Sequence, residues 1–284
     1  MWTLTKPELQ KAFDDIKTVI AASNGKLVAE DEPIIRMIYQ TYDDNGGTIG
    51  KSDNYKLCGK QRRALYNLYN ETGKVNRKPG KLYYIRRELM EDVGECPMCG
   101  ICPPYQLDHQ MPRSVYDSIS VFRNNLVPIC GICNNKKRTK ESDSFVHPYY
   151  ACFPKDVVFL IAKVDVDATT LRVIWKFGID GSGINNRHLL EQINNQVSVI
   201  ELFDGLRKAS NTYLSESLYG RCFRKDNTLK KFLQQEYNKS LSLNSLNHWR
   251  TALLSSLCNN DAFNHHVANR FVNNIRPVNR GAGA

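Results

Sequence analysis

The chain of 284 residues contains no run of about 18 apolar residues, so no membrane-spanning helix is expected. Its opening residues, MWTLTKPELQ, lack the apolar stretch of a secretory leader, so a cytoplasmic protein is expected. No internal repeat and no long low-complexity linker occur, so the parts are expected to pack together rather than hang as tethered modules. Disorder of the whole chain is excluded, because 42% apolar and 10% aromatic residues can fill a core. Acidic residues are in short supply: 29 Asp and Glu face 39 Lys and Arg, a net charge of +10.

That positive charge is uneven. Lys51 to Met90 holds 11 Lys and Arg against 3 Asp and Glu, with Tyr55, Tyr66, Tyr69, Tyr83 and Tyr84 among them. Basic side chains neutralise phosphates and release counterions, so such a face suits a polyanion such as DNA. Taken alone, the segment reads as a solvated helical surface. Its weight as a DNA contact, with Arg62 and Arg63 as the foremost candidates, comes from the cysteine-framed motif downstream in the chain.

Helical periodicity starts at Thr5-Lys-Pro-Glu8, where Thr5 and Glu8 have capping-box spacing, and continues through Leu9, Phe13, Ile16 and Ile20. A second helix is expected over Pro33 to Tyr42, ended by DDNGG at Asp43 to Gly47. That acidic stretch lacks the spaced ligands and closing glutamate of a calcium loop and reads as a turn. Further helices are expected over Lys60 to Tyr69 and Lys81 to Glu91, around the breaker-rich TGKVNRKPG. Beyond Cys152, the β-branched runs Val157 to Val164 and Leu171 to Phe177 predict a hairpin. Helices are then expected over Asn185–Asp204, Asp226–Tyr237, Asn244–Leu257 and Ala262–Ile275. His248 and the His265-His266 pair have no cysteine or acid at ligand spacing and read as ordinary surface or core histidines.

Nine cysteines are present, four of them in Cys96-Pro-Met-Cys99 and Cys130-Gly-Ile-Cys133. Two such turns can place four thiolates around one zinc ion, which fits a reducing compartment better than disulfides do. A zinc with four protein ligands has no open position, so its task is structural. Cys102 makes a second C-x-x-C with Cys99 and competes with Cys96 for a ligand position. The turn-forming CPMCG favours Cys96.

Between these turns lie Asp108-His109 with Pro112 close behind, then Asn125-Leu126 four residues before Cys130. The stretch closes with Cys133-Asn134-Asn135-Lys136-Lys137. From Glu95 to Lys140 the order resembles the HNH endonuclease family: C-x-x-C, a D-H pair, a nearby proline, N-L, and C-x-x-C-H-x-x-K. Asn134 stands where the pattern has its last histidine, a substitution found within that superfamily. The resemblance implies a zinc-stabilised ββα-metal module at the centre; with the helical periodicity before it and the hairpin and helices read after it, the expected fold is an α+β protein, mainly helical. The corresponding division is a basic helical region over 1–90, the module over 91–147 and a C-terminal region over 148–284.

The chemistry is also arguable from residue types. A neutral imidazole can accept a proton from water, which makes His109 the candidate general base. Asp108 offers a hard anionic oxygen and Asn134 a neutral carbonyl oxygen, a set suited to Mg²⁺ or Mn²⁺. Adjacent strand residues point to opposite faces, so the strand must bend or end there if both are to meet one phosphate. The family's pattern gives Asn125, rather than its neighbour Asn124, the task of bracing that bend. Lys136, Lys137, Arg138 and Lys140 are expected to face DNA phosphate from the following helix. The expected function is DNA cleavage leaving 5′-phosphate and 3′-hydroxyl ends, in prokaryotic restriction or anti-phage defence. The weaker likeness of Phe145 to Tyr149 and the region after it to defence-locus HNH proteins suggests an ATPase or sensor subunit as partner. A homodimer would allow two single sites to cut both strands. The alternative is a non-catalytic, zinc-stabilised DNA-binding or assembly module, which would not need Asp108, His109 and Asn134 together.

Overall fold

The computed structural model describes residues 1–75, 77–138, 144–167, 173–218 and 226–264. It is an α+β protein, mainly helical, with three two-stranded antiparallel sheets among the described residues. Two compact units are present. One comprises 2–152 and 188–200; the other comprises Phe153–Arg187 and the chain from Glu201 onward. No helix among the described residues is long and apolar enough to cross a membrane.

In the first unit, α1 (Leu9–Ala22) and α2 (Glu32–Asp44) present Ala12, Ile16, Val19, Ile35, Ile38, Tyr39 and Tyr42 to a common core. The Thr5/Glu8 capping box does not form. Glu8 is itself the N-cap, in extended conformation and with no side-chain cap, so the first helical turn begins at Leu9, two residues beyond Pro7. The turn after α2 closes through Gly46 and Gly47, with φ of 67° and 97°. A Cβ at Gly47 would lie 2.5 Å from the His147 ring, so glycine is required both for the backbone and for the close approach.

After the short α3 (Lys51–Asn54) comes α4 (Gly59–Leu68), which buries Ala64, Leu65 and Leu68 on its apolar stripe. The breaker-rich stretch makes a miniature hairpin, β1 (Lys74–Val75) with β2 (Lys78–Pro79), before α5 (Tyr83–Met90). The core formed by these helices also takes in Leu107, Met111, Ile119, Val121, Phe122 and Leu126, with Phe122 stacked on Tyr39 at 4.1 Å. The N-terminal helices and the histidine-bearing segment are therefore one packing unit. At its centre Arg123 is buried against Asp15 and Glu88, and Tyr84 donates to Asp15 at 2.8 Å. This ties α1 and α5 to the turn just ahead of Asn125.

In the second unit, β5 (Leu160–Val166) pairs with β6 (Val173–Ile179), offset from the expected hairpin. The late start of β5 has a cause in tertiary packing. The Asn247 side chain accepts from the amides of Phe159 and Leu160 and donates to the Val157 carbonyl, taking the backbone that a longer strand would use. The helix expected over Asn185–Asp204 is two helices, α7 (Arg187–Val199), whose residues from His188 on belong to the first unit, and α8 (Leu202–Leu218) of the second, broken where Glu201 adopts a φ of 50°. α9 (Asp226–Leu243) packs against α10 (Trp249–Cys258), and α10 also covers β5. His248 caps α10, its Nδ1 accepting from the Arg250 amide at 3.2 Å, which accounts for that histidine without a metal. Lys140, His265, His266 and most of the helix expected over Ala262–Ile275 lie outside the described residues.

Candidate functional site

Two strands and a helix build the site. β3 (Gln106–His109) runs antiparallel to β4 (Leu126–Ile129), with Asp108 opposite Val127 and His109 opposite Leu126. α6 (Gly131–Lys137) follows directly, with Cys130 as its N-cap and Cys130 Sγ accepting from the Cys133 amide.

The sulfurs of Cys96, Cys99, Cys130 and Cys133 all lie within 4.8 Å of one another, and all four residues are buried. Tetrahedral zinc with Zn–S bonds of 2.3 Å sets its sulfurs about 3.8 Å apart, and the Cys99–Cys130 separation is 3.9 Å. The cluster can therefore hold a structural zinc ion with little movement. Cys102 stands outside it. Its carbonyl accepts from the Cys96 amide at 2.8 Å, while Gly100, with a φ of 63°, closes the turn.

β3 alternates as its register requires. Asp108 and Gln106 face α6, and Leu107 and His109 face inward. The strand ends at His109. The Gln110 amide then donates to the Asn125 carbonyl at 2.8 Å, and the loop through Pro112 begins. Asn125 holds this loop with its whole side chain: Oδ1 accepts from the Met111 amide at 2.7 Å, and Nδ2 donates to the carbonyls of Met111 and Ile119. Asn124 faces elsewhere, donating to Pro7, Asp43 and Tyr150. The two neighbouring asparagines thus do different work.

His109 is buried, with its ring 4.4 Å from that of Tyr69. Its Nε2 lies 2.9 Å from the Ser120 carbonyl. A carbonyl can only accept, so Nε2 carries the proton and, in the neutral ring, Nδ1 keeps a lone pair. Burial lowers the imidazole pKa to about 4, against the opposing pull of the Ser120 carbonyl and the Asp108 charge. The ring is therefore neutral at physiological pH. It is anchored at one nitrogen and unprotonated at the other.

On the opposite face of β3, Asn134 donates from Nδ2 to Gln106 Oε1 at 2.7 Å, which leaves its own carbonyl oxygen without a donor among the described residues. One turn further along α6, Lys137 is not on the exposed face expected of a phosphate contact. It is buried, donating to Asp108 Oδ2 at 2.5 Å and to the His109 carbonyl at 2.7 Å. Lys136 is tied to the Ile200 carbonyl at 2.9 Å, at the C-terminal end of α7. Arg138 is exposed and donates to the Asn135 carbonyl at 3.2 Å. Arg62 pairs with Asp117 at 3.4 Å and stacks on Tyr55. Arg63 is exposed and lies over Tyr66.

Comparison with known proteins adds one relative and no family. Over 102 residues the chain is 33% identical to Protein ea31 of Escherichia phage lambda, covering 34% of this chain and 33% of that protein. The chain thus spans about a third of the relative's length. No known family and no solved structure matches it.

Several residues at the site escaped the sequence reading. Tyr42 donates to Asn125 Oδ1 at 3.1 Å and lies 2.9 Å from His147 Nε2. The Tyr149 amide donates to His147 Nδ1, so Nε2 carries the proton and the chain of donors runs from His147 through Tyr42 to Asn125. Tyr69 backs His109 and donates to the Leu107 carbonyl. Arg113, only four residues past His109, lies over both Tyr66 and Tyr69. The tyrosines carried no local signal, because their roles arise from packing between distant segments.

Proposed function

We propose that the protein is an HNH-type, divalent-metal-dependent endonuclease that hydrolyses phosphodiester bonds in DNA, serving restriction or anti-phage defence. The observation that carries this reading is the state of His109, neutral, fixed through Nε2 and with an unprotonated Nδ1, at the end of the strand that also bears Asp108.

The donor set fits a hard cation. Asp108 already holds a positive charge through Oδ2, its second oxygen is available, and Asn134 contributes a carbonyl oxygen from the adjoining helix face. Bound there with water and phosphate, Mg²⁺ or Mn²⁺ would supply charge stabilisation at the phosphoryl and leaving oxygens. The protein's own residues do the rest. His109 Nδ1 takes a proton from the attacking water, the new P–O bond forms, the bond to the 3′ oxygen breaks, and that oxygen takes a proton from solvent water to leave as the 3′-hydroxyl, His109 then returning its own proton to solvent. Asn125 keeps the loop and the imidazole in register with the phosphate. Lys137 fixes the Asp108 carboxylate and the His109 carbonyl together, so the ligand and the base keep a constant relation.

The basic α3–α5 segment would hold DNA beside this site. The second compact unit would serve as the docking or specificity module for an ATPase or sensor subunit. Two copies would be needed to cut both strands at one place. The test is nicking of supercoiled plasmid with Mg²⁺ or Mn²⁺ by the native chain and by Asp108→Asn. Metal-dependent nicking lost in the variant is expected. Equal nicking by both, or nicking that persists in EDTA, would overturn the assignment.

A further inference from the structure

Four stacked side chains lead from the exposed Arg63 inward to the buried His109. Arg63 lies over the Tyr66 ring at 4.8 Å, and Arg113 lies over the same ring at 4.5 Å. Arg113 also covers Tyr69 at 4.6 Å, and Tyr69 in turn lies 4.4 Å from the His109 ring. Two guanidiniums over one tyrosine repel each other unless anions lie between or beside them. Elsewhere in this unit stacked arginines carry their own acids. Arg36 over Phe13 pairs with Glu32, Arg62 over Tyr55 pairs with Asp117, and Arg123 near Tyr84 pairs with Asp15 and Glu88. Arg63 and Arg113 have no carboxylate among the described residues. The one bond of Arg113 outside its stacks runs from Nη1 to the Tyr66 carbonyl at 3.4 Å.

We propose that Arg63 and Arg113, held on the faces of Tyr66 and Tyr69, form a rail for the phosphodiester backbone of nucleic acid that ends at His109. Arg113 contacts the phosphate nearest the reacting one. The tyrosine faces are occupied by guanidiniums, so they are not platforms for bases, and the rail reads charge and spacing rather than sequence. Stacking limits the freedom of each guanidinium and aims its fork outward, which a lysine could not reproduce. The inference rests on His109 marking the reacting end, but its test does not need cleavage.

The test measures binding of a fluorescein-labelled DNA duplex by anisotropy, in EDTA, between about 50 and 300 mM salt. It uses the full chain as native, Arg63→Met, Arg113→Met, Arg113→Lys and, as control, Arg36→Met. Methionine keeps an apolar stem on each ring, and thermal melting confirms that each variant is folded. Each loss of a phosphate contact is expected to reduce the slope of log K against log salt by about 0.9. Arg63→Met and Arg113→Met should show this, Arg36→Met should not, and Arg113→Lys should recover the slope with weaker binding. Native slopes in both methionine variants would overturn the rail, as would absence of salt-dependent binding by the native chain. Adding Mg²⁺ to the same samples reads cleavage separately. Altered slopes without cleavage leave the rail standing and remove the nuclease, and cleavage with unaltered slopes does the reverse.

Discussion

Lys137 Nζ donates to Asp108 Oδ2 at 2.5 Å from a side chain only 3% exposed, joining the end of α6 to the end of β3. The same ammonium holds the His109 carbonyl at 2.7 Å. One buried cation therefore sets the positions of both residues on which the proposed chemistry depends. Charge-assisted bonds in such a setting are worth about twice their neutral counterparts. In a double-mutant cycle of Lys137→Met with Asp108→Ala, read by urea unfolding, a coupling of about 1–3 kcal/mol is expected. A coupling near zero would show that the pair does not hold the site.

The zinc frame makes a second prediction. Native protein should carry one equivalent of zinc by elemental analysis, and Cys130→Ser should carry none and lose its cooperative melt, because Cys130 is both a ligand and the cap of α6. Cys102→Ser should keep the metal. A zinc-free native protein with a normal melt would refute the frame.

Arg123 is more deeply committed. Its side chain and that of Asp15 are 5% and 8% exposed, and Tyr84 donates to the same carboxylate. Arg123→Met would strand a buried charge, so a loss of about 3–5 kcal/mol is expected in denaturant unfolding. A change below about 1 kcal/mol, the size of a surface pair, would mean that the group is solvated.

His147 gives the fold a pH dependence. Burial lowers its pKa to about 3, far below the ordinary 6.5. The unfolded chain therefore binds a proton that the folded chain refuses. The resulting stability is fully present above about pH 6.5 and is lost as the pH falls toward 3. Between pH 7.5 and 5 the loss attributable to this residue is on the order of 2 kcal/mol. In His147→Gln, unfolding midpoints should fall less steeply over that interval than in the native chain. Identical slopes would contradict the burial of a neutral imidazole.

These relationships were legible in the sequence to different depths. The four cysteines could be read because C-x-x-C geometry is local, and the choice of Cys96 over Cys102 followed from turn residues. Asn125 could be read from its spacing to Cys130. Lys137 could not be placed, because which face of a short helix meets the hairpin depends on how the two pack. The offset of β5 was equally hidden, since its cause, Asn247, lies 87 residues from Leu160. The helix break at Glu201 carried no proline or glycine to mark it. Arg113 sat in plain view beside Pro112, yet its stacking partners come from α4 and the turn after it.

The most direct test of the account is cleavage by His109→Ala, with zinc content and melting temperature verified equal to native. With Mg²⁺ or Mn²⁺ present, the native chain is expected to nick plasmid DNA to 5′-phosphate and 3′-hydroxyl ends, and the variant to be slower by at least about 100-fold. Cleavage by the folded variant at the native rate would contradict the account.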